Sequence, residues 1–153
     1  MTRILALILI YPLLMAAQER KRPAQPKRQA EIQLRIIEAS SSGDNNDAAQ
    51  LVPAELKSLL KYSRYSLLDS AFLRATQDSQ HTIALAGDLR GEVEFDIPLE
   101  GEIEIDVELR RGNRVLLETK ATTKNGETVV LGASRMRDGS NALIVLVTAK
   151  LLP

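Results

Sequence analysis

The sequence predicts a mainly β fold, an antiparallel β-sandwich-like domain with a C-terminal four-strand meander and one short helix near residues 53–61. Three observations carry that expectation. Residues 102–152 divide into four strand-like runs separated by Arg111-Gly112-Asn113, Asn125-Gly126 and Asp138-Gly139, and Asn-Gly or Asp-Gly between apolar runs is the strongest short-range hairpin signal. The last run, Leu143-Ile144-Val145-Leu146-Val147, does not alternate, so both of its faces need cover and a second layer is required. Glu102 to Leu109 alternates strictly between acid and aliphatic residues, the pattern of a half-buried strand.

A two-residue Asn125-Gly126 loop would pair Lys124 with Glu127, Thr122 with Val129 and Ala121 with Val130. A two-residue Asp138-Gly139 loop would pair Ala133 with Ile144, Leu131 with Leu146 and Val130 with Val147. Val145 and Val147 are then expected on one buried face, and Ile144 and Leu146 on the other. A three-residue loop at Arg111-Gly112-Asn113 would set Leu109 opposite Val115 and Glu104 opposite Lys120. The run Glu102, Glu104, Asp106, Glu108 is expected to line the open face of a strand near a sheet edge, where its charge opposes edge-to-edge aggregation.

From the start of the chain, Arg3, the apolar run 4–15 and Ala16-Ala17 have the order of a signal peptide over residues 1–17. The apolar core is shorter than the roughly 20 residues that span a bilayer. Residues 18–30 are polar, carry Pro23 and Pro26, and concentrate Arg20, Lys21, Arg22, Lys27 and Arg28. They read as a disordered tether that could touch an anionic surface, with a solvated spacer as the plainer reading. Residues 31–153 are expected to form one β-rich domain. Residues 29–153 hold 14 basic and 19 acidic side chains, a net charge of −5, which argues against a nucleic-acid partner because a phosphate backbone needs a basic folded surface.

Glu31 to Glu38 alternates, with Ile32, Leu34 and Ile36 on one face. The polar stretch Ser40 to Asp47 reads as a mobile loop, since Asp44-Asn45-Asn46-Asp47 lacks the spacing and distal glutamate of a calcium loop. Pro53, Glu55 and the spacing of Leu56, Leu59 and Leu60 predict the short helix. Residues 62–75 mix large residues with serine and read as a strand. Tyr62, Arg64 and Tyr65 could stack on a ligand ring, although tyrosines more commonly pack at a core margin. Residues 81–86 and 92–97 complete the strands.

No cysteine is present and His81 is the single histidine, so thiol and multi-histidine metal chemistry are excluded; no Gly-x-Ser-x-Gly elbow presents a serine nucleophile. Paired carboxylates can perform acid-base chemistry when burial separates their pKa values, but acids alternating along one strand are expected to face water. No cofactor is predicted.

The stretch Thr119-Lys-Ala-Thr-Thr-Lys-Asn-Gly-Glu-Thr-Val-Val-Leu-Gly132, followed by Asn141-Ala-Leu-Ile-Val-Leu-Val-Thr-Ala-Lys-Leu, resembles the closing strands of the secretins, the outer-membrane secretion channels. The chain departs from that pattern at Ala133 after Gly132 and in the short link Ala133 to Ser140. The resemblance implies a small relative that forms no pore by itself. The functional expectation is an exported, non-enzymatic envelope protein with a protein partner, docking through the strand edge at Glu102, Glu104, Asp106 and Glu108. The alternative is a divalent-cation or glycan module using that acidic face or the Tyr62-Arg64-Tyr65 group.

Overall fold

The computed structural model describes residues 26–135 and 141–153. The expected signal segment, most of the tether and the Asp138-Gly139 turn therefore lie outside the described residues. The elements in chain order are β1 (Gln29–Ser40), a 3-10 turn (Ala49–Leu51), α1 (Ala54–Leu60), β2 (Arg64–Thr76), β3 (His81–Ala84), β4 (Leu89–Asp96), β5 (Glu102–Arg111), β6 (Arg114–Lys124), β7 (Thr128–Arg135) and β8 (Asn141–Leu151). The strands form two four-stranded sheets, ordered β2-β1-β8-β7 and β3-β4-β5-β6; every described pairing is antiparallel.

Alternation explains the core between the sheets. Ile32, Leu34 and Ile36 of β1 and Leu143, Val145 and Val147 of β8 meet Val93 and Phe95 of β4 and Ile103, Ile105, Val107 and Leu109 of β5, all buried. Gly91 faces this core, where a Cβ would lie 2.9 Å from Ile83 Cγ2 and 3.3 Å from Leu34 Cδ1. A side chain there would press on its cross-strand neighbour Ile83 and on Leu34 of the facing sheet. The opposite parity of the first sheet builds a second, smaller core. Ile37, Ala39, Tyr65, Ala142, Ile144 and Leu146 are buried there under Ala48 and Val52, with Leu56 and Leu60 of α1 packed against them. As expected from its unbroken apolar run, β8 is covered on both faces. Leu59 of α1 points away and is exposed.

The C-terminal strands do not form one meander. β6 and β7 are consecutive but belong to different sheets, so the ladder expected across Asn125-Gly126 is absent. The turn itself is present, closed by Glu127 N–H donating to Lys124 O at 3.0 Å. Gly126 has φ +83°, and Asn125 is not among the described positive-φ residues. Positive φ at the second central residue alone is a type II turn, which splays its strands where type I′ would continue their twist. The turn also docks on β8: Gly126 N–H donates to Ala149 O and Leu151 N–H donates to Asn125 Oδ1, both at 2.8 Å. β7 is thereby delivered to β8, where Ala133 lies opposite Ile144 as expected. A bulge at Leu131 then moves the pairing to Val130 with Leu146 and Val129 with Val147.

Two further corrections concern β5. Its hairpin to β6 is closed by Gly112-Asn113 alone, with Arg111 opposite Arg114, and a bulge follows that sets Leu109 opposite Leu117 and Asp106 opposite Lys120. β5 also lies between β4 and β6. Both of its backbone ladders are occupied, so Glu102, Glu104, Asp106 and Glu108 line the middle of a sheet and offer no edge.

Candidate interaction surfaces

Two surfaces bear on docking: the charged face of the β3-β4-β5-β6 sheet and the outer edge of β2, one of the four strands that end a sheet. The face follows from alternation. Ile103, Ile105, Val107 and Leu109 turn inward, and the acids of the same strand turn outward, half-buried by one another. The ladders then place acids in rows, with Glu92 opposite Glu108 and Glu108 opposite Glu118. Directly opposed like charges oppose pairing, and two cations offset them. Arg110 binds Glu108. Lys120 Nζ lies 2.9 Å from Glu104 Oε1 and 3.0 Å from Asp106 Oδ2, an arrangement possible because Lys120 stands opposite Asp106 and diagonal to Glu104. Hydrogen bonds to Glu104 and then Asp106 hold the Lys120 ammonium above its ordinary pKa. The bond to Glu108 does the same for the Arg110 guanidinium.

An open depression of about 470 Å³ lies on this face, lined by Gln80, Glu92, Glu94, Asp106, Glu108, Glu118, Thr119 and Lys120 among others. Among the described residues, no group of three or more histidines or carboxylates converges as a metal-binding set. At one end of the face, Gln77 Nε2 donates to Asp96 Oδ1 at 2.8 Å and Ile97 N–H donates to the same oxygen at 2.6 Å. These two bonds, Gln77 first, lower the Asp96 pKa. A carboxylate held ionised in this way is a poor candidate for a general acid.

The tyrosine group is divided by burial. Tyr65 is 3% exposed, its hydroxyl donates to Tyr62 O at 3.3 Å, and burial raises its pKa. Its ring belongs to the smaller core and is not offered to a ligand, which leaves Tyr62 and Arg64 half-buried at the surface. His81 opens β3, and its Nε2 accepts the Thr76 N–H at 2.9 Å. The imidazole therefore ties the end of β2 to the start of β3, a role its position alone did not signal. The basic segment is also partly tied: Gln77 N–H donates to Arg28 O at 2.9 Å and Lys27 Nζ to Asp78 O at 3.4 Å.

The β2 edge was missed by sequence reasoning. β2 ends its sheet, and a register shift opposite Ile36 and Ile37 bulges it at Leu68. The break of alternation at Leu67-Leu68-Asp69 was the signal for that bulge. Downstream, Thr76 N–H bonds outward to His81 and Ser70 N–H bonds the Asp69 carboxylate. Strand parity therefore aims the N–H groups of Phe72 and Arg74 away from β1 as well. Phe72, 62% exposed, and Leu67 and Leu68 lie along this edge. An edge with exposed apolar side chains and outward amide groups is a template for an added strand.

No protein-family model matches the chain, and no curated protein matches it. Solved structures do. The type II secretion secretin XcpQ from Pseudomonas aeruginosa has a TM-score of 0.51 at 11% identity, over 84% of this chain and 60% of that one. The secretin of the ETEC pilotin-secretin complex AspS-GspD has a TM-score of 0.51 at 12% identity, over 84% of this chain and 50% of that one. The chain thus has a secretin-like fold across most of its length, well beyond the residues 119–153 that carried the resemblance in sequence. It spans one half to three-fifths of the length of those two secretin chains.

Proposed function

We propose that this chain is a non-enzymatic, exported protein of the bacterial cell envelope that works by protein-protein contact in a secretion-related assembly, through the open edges of its sheets. The observation that carries this reading is where the edges lie. β2 ends one sheet and β3 the other, and the two strands touch at one flank; β6 and β7 likewise end the two sheets side by side at the opposite flank. Each flank presents two edges together, and a partner strand can extend either sheet. The secretin-like fold supports the secretion-related part, one of those secretins having been solved with a pilotin bound. The signal-like residues 1–17 support export.

The β2 edge replaces the β5 strand as the docking element, because only an unpaired strand has backbone groups to give. The acidic face then serves solubility and keeps unrelated sheets from stacking on the β3-β4-β5-β6 layer. The test is site-specific photocrosslinking from position 72 of the full chain in cells, together with Phe72→Pro, which removes an outward N–H while an edge strand tolerates proline. The expected result is a discrete protein adduct at position 72, lost function in Phe72→Pro, and intact function in Glu104→Gln/Asp106→Asn. Folded Glu104→Gln/Asp106→Asn protein that loses function, with Phe72→Pro active, overturns the reading.

A further inference from the structure

The polar stretch before the helix, whose sequence invites a calcium reading, has another use in the fold. Its residues run along the outer side of β2 upstream of the Leu68 bulge. Tyr65 N–H donates to Asn46 Oδ1 and Leu67 N–H donates to Asp47 Oδ1, each at 2.9 Å. Ala48 N–H donates to Tyr65 O at 3.0 Å, and Ser66 Oγ donates to Asn45 O at 3.0 Å. The segment thus offers β2 acceptors and a donor at the places where a neighbouring strand would offer them, but takes two of the acceptors from side chains. A backbone built this way satisfies the edge without presenting a further edge of its own, because Asn46 and Asp47 contribute oxygens and no second row of ladder groups.

We propose that residues Asn45–Ala48 are an intramolecular guard on the β2 edge, which occupies the positions of an added strand at Tyr65 to Leu67 and confines strand capture to Ser70–Arg74. This rests on the edge-docking reading above and adds its regulation. The far end of the window is closed by His81 at Thr76 and the near end by Asp69, whose Oδ2 accepts the Ala86 N–H at 2.6 Å. A strand added to β2 is therefore short and held in one register, and a longer one has to displace the guard. Displacement is local, since Asn46 and Asp47 reach the Tyr65 and Leu67 amides through their side chains, while Ala48, bonded to Tyr65 O, and Val52 stay anchored in the smaller core. Only a strand long enough to pass the Leu68 bulge competes with the guard for the Tyr65 and Leu67 amides.

The experiment compares the full chain with N46A/D47A, using amide hydrogen exchange and sedimentation over a concentration series. The probe for strand capture is the chain itself, whose apolar β2 edge is expected to self-associate when concentrated. In dilute N46A/D47A, exchange at Tyr65 and Leu67 is expected to rise about tenfold, the effect of losing an ordinary hydrogen bond or two. Association is expected to begin at about tenfold lower concentration, with unchanged protection at Ile144 and Val145 reporting an intact fold. D47N keeps an amide oxygen at the same place and is expected to restore part of both effects. S66A, a milder cut, serves if the double variant does not fold. Faster exchange without a shift in association makes the segment a structural clamp and overturns the guard; so does unchanged exchange. Association that is present but indifferent to the guard variants overturns this inference alone, whereas monomers in every variant, with no adduct at position 72, overturn the edge reading and the guard together.

Discussion

The two sheets are built from the same period-two alternation and end in opposite condition. The β2-β1-β8-β7 sheet is buried on its inner face and, over the half beneath α1, on its outer face as well; its central strand β8 reads as an unbroken apolar run. The β3-β4-β5-β6 sheet is buried on one face and carries rows of acids on the other, with Arg110 and Lys120 bonded to them. Both sheets share the main core, and only the first is buried on its outer face as well. The first sheet also holds the apolar β2 edge proposed above as the docking element, on the half of the sheet that α1 leaves open.

The largest expected effect breaks the outer core of the first sheet. Leu146→Ala leaves a cavity beneath α1 and is expected to cost about 2–5 kcal/mol, measured by denaturant unfolding; a loss under about 1 kcal/mol would mean that α1 and its loop do not seal that face. Next comes the contact between the layers. Gly91→Val places a branched side chain where a Cβ already crowds Ile83 and Leu34, with an expected loss of about 1–3 kcal/mol from overpacking, and a neutral result would show that the sheets separate more easily than their packing implies.

Gly126→Val tests the crossing between the sheets. A β-branched residue at φ +83° is expected to cost on the order of 1–3 kcal/mol, and because the turn docks on β8, amide protection at Gly126's neighbours and at Leu151 should fall with it. Protection lost only within β6 would mean that the turn serves a hairpin after all. The smallest effect belongs to the charged face. Lys120→Met removes the ammonium shared by Glu104 and Asp106 and is expected to shift the melting temperature slightly downward at low salt, and less as ionic strength rises. A large, salt-independent loss would contradict the solvent-facing role assigned to these acids.

Much of this was legible in the residues. Ile32, Leu34 and Ile36 announced an inward face, the strict alternation from Glu102 to Leu109 announced which side of β5 is wet, and the unalternated run in β8 announced a second layer, because parity follows from the backbone alone. Pro53 and the leucine spacing placed the helix. Sheet membership was not legible at Asn125-Gly126, since the same dipeptide serves a type I′ hairpin or a type II turn, and the choice fell to bonds with Ala149 and Leu151 far along the chain. Edge position was hidden for a similar reason: β5 looks like a border strand by its charge, but β4 and β6 pair with it on both sides. The roles proposed for Phe72, Asn46 and Asp47, and the bond His81 makes, depend on which strand lacks a neighbour. Local sequence determines the face on which a side chain lies; only long-range pairing decides which backbone groups are left to satisfy, and those define the edge and its guard.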